Sequence, residues 1–265
     1  MILQRFTRAD QGHTWSAILV ATVFTALVGS HVPTSASSPQ PAAPTRRILF
    51  VGNSLTTAND LPARVQALAA SVGDHLEARA VAFPDFSLED HWKQGDATRV
   101  IGEGGWSIVV LQQGPSSLPE SRRLLIDYTR RFAGEARQIG ARTALYMVWP
   151  SRARLADFDS VSASYSAAAR DVRGLLLPVG EAWRAAWRRD NAVALYGDDG
   201  FHPTPLATHL AALVIYQQVG GRSPIGLGAT LASSFPRWAP TPMASALASL
   251  LEASAAEANA RFALR

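Results

Sequence analysis

From Arg46 onward, short apolar runs alternate with stretches of helical periodicity, and this alternation limits the possible folds more than any other feature. Arg46–Gly52 (RRILFVG), Leu76–Ala82, Ser107–Gln112 (SIVVLQ), Arg142–Trp149 (RTALYMVW) and Gly174–Val179 (GLLLPV) read as five strands. Between and after them, Leu61–Val72, Pro119–Ile139, Phe158–Val172, Glu181–Arg189 and Thr204–Val219 read as helices, the first with Asp60 as N-cap ahead of Pro62. Strands rich in Val, Ile and Leu and separated by helices imply a parallel sheet covered on both faces. In such sheets functional groups collect at the C-terminal strand edge. Beyond Gly220 a Gly/Pro-rich stretch runs to Pro242, and an Ala-rich helix from about Met243 to Phe262 is expected to pack on the outside. The expected organisation is a leader and linker over residues 1–45, one α/β domain over 46–226, and an irregular segment with a C-terminal helix over 227–265.

The leader has Arg5 and Arg8 followed by a thirteen-residue apolar run, Ala17 to Gly29. That length matches the apolar part of a signal peptide and falls short of the roughly 20 residues that span a bilayer. Asp10 and the lack of a clean A-x-A site leave an uncleaved signal anchor open. His31–Thr45 (HVPTSASSPQPAAPT) has the composition of a linker that buries no core. Export to the periplasm or the medium is expected, with membrane attachment only if the apolar run is retained.

Composition removes several function classes. The chain has no cysteine, which excludes disulfides, thiolate metal sites, a cysteine nucleophile and a lipoprotein anchor. The net charge of +4 raises the question of nucleic acid, but Lys93 is the only lysine and the arginines occur singly or in isolated pairs. Isolated pairs make no electrostatic stripe, so no nucleic-acid partner is expected. A mean hydropathy of +0.04 fits a globular domain.

Two short motifs carry chemistry. Gly52-Asn53-Ser54-Leu55 follows the first strand, where a serine sits on a tight turn at the sheet edge and backbone N–H groups can face an oxyanion. Asp198-Asp199-Gly200-Phe201-His202-Pro203 lies just before a helix, and D-x-x-H lets one short loop supply a carboxylate that orients an imidazole. Taken singly, the first is also what any strand-to-helix turn uses, and the second also reads as a helix cap beside a surface histidine. His202 and His209, near Asp198, raise the question of a metal, since their seven-residue spacing puts both histidines on one helical face, but no further ligand is evident. Tyr146, Trp149, Trp183 and Trp187 read as core or interface aromatics rather than as a sugar platform.

Together the two motifs resemble the first and last blocks of the SGNH (GDSL-like) hydrolases, with Asn53 in place of the usual Asp. The likeness extends roughly from Arg46 to Gly226 and includes Ser87-Leu88-Glu89-Asp90-His91-Trp92, Val110-Leu111-Gln112-Gln113, Tyr146-Met147-Val148-Trp149-Pro150 and Pro178-Val179-Gly180, in the manner of the family's bacterial exported branch. The resemblance implies a flavodoxin-like three-layer α/β/α fold and a serine esterase or acylhydrolase that needs no metal or cofactor. It assigns Ser54 as nucleophile, His202 as general base and Asp199 as its orienting partner. Two blocks depart from the pattern. The second, Phe83-Pro84-Asp85-Phe86-Ser87, lacks the glycine whose N–H faces the oxyanion, which leaves the Asp85 backbone in that place. The third has Gln112-Gln113-Gly114 where the family has an asparagine. With strand three ending level with Ser54, the oxyanion donors expected are the Ser54 N–H and the Gln112 carboxamide, with Gln113 as alternative. Asn53, His91 and Trp149 are expected to line the substrate cleft. The substrate class is a small-molecule or glycan ester, in particular an acetyl ester of a carbohydrate. The rival readings are acyl transfer to a glycan and an inactive module that binds envelope polysaccharide.

Overall fold

The computed structural model describes residues 45–227 and 245–262. The expected leader and linker, and the connection before the last helix, lie outside them. Five strands form one all-parallel sheet: β1 (Arg46–Gly52), β2 (Leu76–Ala82), β3 (Ile108–Leu111), β4 (Arg142–Tyr146) and β5 (Leu175–Leu177), in the order β2-β1-β3-β4-β5. Ile48 to Val51 of β1 and Val109 to Leu111 of β3 are fully buried, which is why these central strands read as unbroken apolar runs. β2 is an edge strand and alternates instead, with Glu77 and Arg79 paired on its solvent side to Arg47 and Glu103.

Nine helices are described: α1 (Ser54–Thr57), α2 (Leu61–Ser71), α3 (Leu88–Gln94), α4 (Asp96–Gly102), α5 (Pro119–Gln138), α6 (Phe158–Asp171), α7 (Val179–Arg189), α8 (Pro205–Gly220) and α9 (Ser245–Phe262). Helices α2, α8 and α7 pack side by side, with α9 across α7 and α8; α3, α4, α5 and α6 form the second layer. The result is a three-layer α/β/α fold. Helix α8 is apolar nearly all round because α2, α7 and α9 cover it. No described helix is long and apolar enough to cross a membrane.

Several expected boundaries shift for local reasons. The ladder of β4 ends at Tyr146, and Met147–Trp149 remain buried beyond it. Pro178 has no N–H to extend β5, and α7 begins at Val179, two residues before the expected start. Asp60 precedes α2 as expected but makes no side-chain cap, because its backbone is left-handed at φ 57° and ends a 3₁₀ turn over Ala58–Asp60. Helices α3 and α4 form no single run because Gly95, at φ 86°, breaks the chain between them.

The order 2-1-3-4-5 reverses its winding between β1 and β3, so the loops after these two strands splay apart at the C-terminal edge. Val51 pairs with Leu111, and Gln112 N–H donates to the Val51 carbonyl at 2.9 Å. Ser54 and Gln112 therefore leave the sheet side by side at its switch point.

Candidate active site

Ser54 opens α1 directly after β1. Its turn is tight because Gly52 carries no side chain: a Cβ there would collide with Thr56 Oγ1 and Gln112 Oε1. Asn53 caps α1, its Oδ1 accepting from Leu55 N–H at 3.1 Å.

The other half of the site is the loop from Tyr196 to Pro203. It is closed by an antiparallel bridge between those two residues, and Gly197 N–H donates to the His202 carbonyl at 2.8 Å. Neighbours pin it from outside. Arg152 N–H donates to the Gly200 carbonyl at 2.8 Å, Trp149 Nε1–H to the Phe201 carbonyl at 2.9 Å, and Asn59 Nδ2–H to the Pro203 carbonyl at 2.9 Å. Within the loop, Asp199 Oδ1 accepts from Phe201 and His202 N–H, each at 2.9 Å, while Oδ2 lies 2.5 Å from His202 Nδ1. The hydrogen bond from His202 and the two backbone N–H groups lower the Asp199 carboxyl to a pKa of about 2. An ionised carboxylate only accepts, so Nδ1 carries the imidazole proton and Nε2 is left as an acceptor. Nε2 lies 2.9 Å from Ser54 Oγ. Residues 148 positions apart in sequence thus form one Asp199–His202–Ser54 chain, with the His202 and Asp199 side chains about half exposed.

A cleft of about 390 Å³ adjoins this chain, bordered by Asn53 beside Ser54 and Phe201 beside His202. Asp85 and Phe86 line it from the loop after β2, and Gln113 to Leu118 from the loop after β3. Asp85 sits at φ 60°, the left-handed conformation for which glycine is the usual residue and which Asp tolerates. Among the described residues, neither the Asp85 N–H nor the Gly114 N–H has a hydrogen-bond partner.

Four expected site residues are placed differently. Gln112 is fully buried and its carboxamide is saturated: Oε1 accepts from Asn53 N–H (2.9 Å) and Thr56 Oγ1–H (2.7 Å), and Nε2 donates to Asn53 Oδ1 (2.9 Å) and the Gln113 carbonyl (2.7 Å). It has no N–H left for an oxyanion. Gln113 is no substitute, because its Nε2 donates to Ser116 Oγ at 2.8 Å and the Ser121 carbonyl at 3.3 Å. His91 is buried behind the turn, where its Nε2 lies 2.7 Å from the Gly52 carbonyl and donates to it. Burial lowers its pKa and favours the neutral ring. Trp149 is fully buried and stacked on Trp183, ring centroids 3.7 Å apart, so it holds the Tyr196–Pro203 loop from below and does not face the cleft. Tyr146 and Trp183 are core as well, while Trp187 is half-buried. His209 lies buried on α8 beside Arg64. The sequence reading missed Asn59 and Gly114; the left-handed Asn59 that ties the turn to Pro203 had no signal beyond an Asn before an N-cap.

A serine at the β1 edge, a histidine and aspartate from one late loop, and the strand order can now be set against known proteins. A provisionally assigned SGNH hydrolase from Slackia heliotrinireducens is 28% identical, with a TM-score of 0.59 over 67% of this chain and all of the other. This is an SGNH-hydrolase fold. A DUF4886 family protein from Bacteroides uniformis superposes on the same fold with a TM-score of 0.66, over 82% of this chain and 96% of its own, at 15% identity. An acetyl xylan esterase from Geobacillus stearothermophilus does so with a TM-score of 0.53, over 69% and 95%, at 13% identity. No family model matches the chain, and no curated protein matches it. In SGNH terms, the first and last blocks supply the hydrogen-bonded chain, the second block supplies Asp85 in place of glycine, and the third supplies a buried amide where an exposed one was expected.

Proposed function

We propose that the protein is a serine ester hydrolase in which Ser54 is the nucleophile, His202 the general base and Asp199 its orienting partner. The observation that carries this reading is the unbroken chain from Asp199 Oδ2 through His202 to Ser54 Oγ. In the proposed reaction His202 Nε2 takes the Ser54 proton as Oγ bonds to the ester carbonyl carbon. The tetrahedral intermediate collapses by breaking the bond to the alcohol oxygen, which leaves with the proton held on His202. A water, deprotonated by the same Nε2, then bonds to the acyl carbon, and the bond to Ser54 Oγ breaks, Oγ taking the proton back from His202 as the carboxylic acid leaves. The oxyanion donors in this reading are the N–H of Ser54, unpaired as the first residue of α1, with those of Asp85 and Gly114 at the cleft edge.

For the substrate we propose an acetyl ester of a carbohydrate. The half-exposed triad leaves room for a bulky alcohol, and the acetyl xylan esterase likeness supplies the analogy. We further propose export, on the leader sequence alone; N-terminal sequencing of the mature protein tests it. Ser54→Ala should reduce turnover of p-nitrophenyl acetate at least a thousandfold with the far-UV circular dichroism unchanged. Parent-like turnover would move the nucleophile elsewhere. Acetate release from acetylated oligosaccharides, compared with longer acyl esters, tests the substrate.

A further inference from the structure

The two amides that depart from the family pattern, Asn53 and Gln112, meet in the structure as one hydrogen-bonded pair. Each amide's orientation is fixed by groups that can act in only one way. Asn53 N–H only donates, so Oε1 of Gln112 faces it and Nε2 faces Asn53 Oδ1. Leu55 N–H also only donates, which places Oδ1 of Asn53 toward it and leaves Nδ2 to donate to the Phe86 carbonyl at 3.0 Å. Asn53 is 7% exposed and Gln112 0%, so water offers no substitute partners. Through these bonds the pair joins the turn after β1 to the loop after β2 at Phe86 and to the start of the loop after β3 at Gln113.

An aspartate at position 53 could accept from Leu55 and Gln112 but could not donate to Phe86. A glutamate at 112 could accept from Asn53 and Thr56 but, when ionised, could not donate to Asn53 or Gln113. Both positions therefore require a carboxamide, and each requirement depends on the other. We propose that Asn53 and Gln112 form a single positioning device that holds the Ser54 turn in register with the two oxyanion-side loops; this rests on Ser54 being the nucleophile. The device acts through Ser54 and touches no substrate atom through Gln112.

The test uses the isosteric variants Asn53→Asp and Gln112→Glu in the full chain, with p-nitrophenyl acetate between pH 5 and 8. Misplacing a reacting group by about 1 Å costs up to about 100-fold. At pH 8 each variant should lose tenfold to a hundredfold in kcat, with KM within twofold of the parent. The double variant should lose less than the product of the single losses, because the same bonds are broken in both. For Gln112→Glu the ratio of variant to parent kcat should rise as pH falls, since burial favours the protonated carboxyl and that form regains one donor. The titratable groups against the pair are His91, at the Gly52 carbonyl, and Tyr165, whose hydroxyl donates to the Gln113 carbonyl. Both are present in parent and variant. A merely structural role would move stability and leave that ratio flat. If Gln112→Glu does not fold, Thr56→Val removes only the hydroxyl that donates to Gln112 and should lower kcat threefold to tenfold. A kcat within twofold of the parent in the folded variants, or a flat ratio, overturns the proposal. Failure of the underlying reading would show separately, as activity retained by Ser54→Ala.

Discussion

Asp199 is held ionised by hydrogen bonds from His202 and from two N–H groups of its own loop, with a pKa of about 2. Its lowered value means that the carboxylate keeps its charge through mild acid and loses it only as pH falls toward 2. In the proposed mechanism the Nε2 of His202 accepts the Ser54 proton, and the ionised Asp199 holds the ring proton on Nδ1. Asp199→Asn should lower kcat for ester hydrolysis about a thousandfold or more by allowing the wrong tautomer. An Asp199→Asn variant with near-parent kcat would remove both residues from the mechanism. The sequence singled out these three residues through the resemblance of their two motifs to the SGNH hydrolases, and the structure brings them into one hydrogen-bonded chain. Gln112, Gln113, His91 and Trp149 were not legible in the sequence, since placing each on the right element leaves open which way its side chain turns. Gln112 turns toward the Asn53 backbone, His91 toward the Gly52 carbonyl, and Trp149 under the loop it supports.

The last helix, α9, is joined to the fold by Glu257, which accepts from Arg188 Nη2 and Arg189 Nη1 of α7, each at 2.6 Å, and by Asn259 Nδ2, which donates to the Val214 carbonyl of α8 at 3.1 Å. The two arginines lower the Glu257 carboxyl to a pKa of about 2. Because this folded value lies below the unfolded one, the stability it contributes is present above about pH 4.5 and is lost as pH falls toward 2. A partly exposed ion network of this kind contributes about 1 kcal/mol. Glu257→Gln should lower Tm at pH 7 by about 2–4 °C with kcat unchanged, and should narrow that gap below pH 3. Calorimetry at the two pH values decides it. The outward packing of this helix was readable from its Ala-rich pattern. Its partners were not, because paired charges on separate helices leave no trace in local periodicity. Helices α3 and α4 are absent from the expected elements, each being only seven residues long, although Ser87 and Asp90 spell the capping box that starts α3.

At the scale of the molecule, the parallel sheet was legible because its central strands are buried on both faces and so carry unbroken apolar runs. The strand order was not, yet the order creates the site by parting the loops after β1 and β3. The interior also sets how the domain meets acid. His209, buried on α8 with Arg64 beside it and its Nε2 without a hydrogen-bond partner among the described residues, has its pKa lowered to about 4 by desolvation. The unfolded chain binds that proton near pH 6.5, so stability falls as pH drops from 6.5 toward 4, by about 3 kcal/mol in all. His209→Leu should flatten this part of the urea-midpoint profile between pH 7 and 4.5, and an unchanged slope would reject the assignment. The central claim is that one serine among many is chemically activated by the fold. It is tested most directly by treating the protein with a fluorophosphonate and mapping the adduct by mass spectrometry. A single adduct on Ser54 is expected, absent from Ser54→Ala and strongly slowed in His202→Ala; no adduct, or one on another serine, would contradict the assignment of Ser54 as the activated serine.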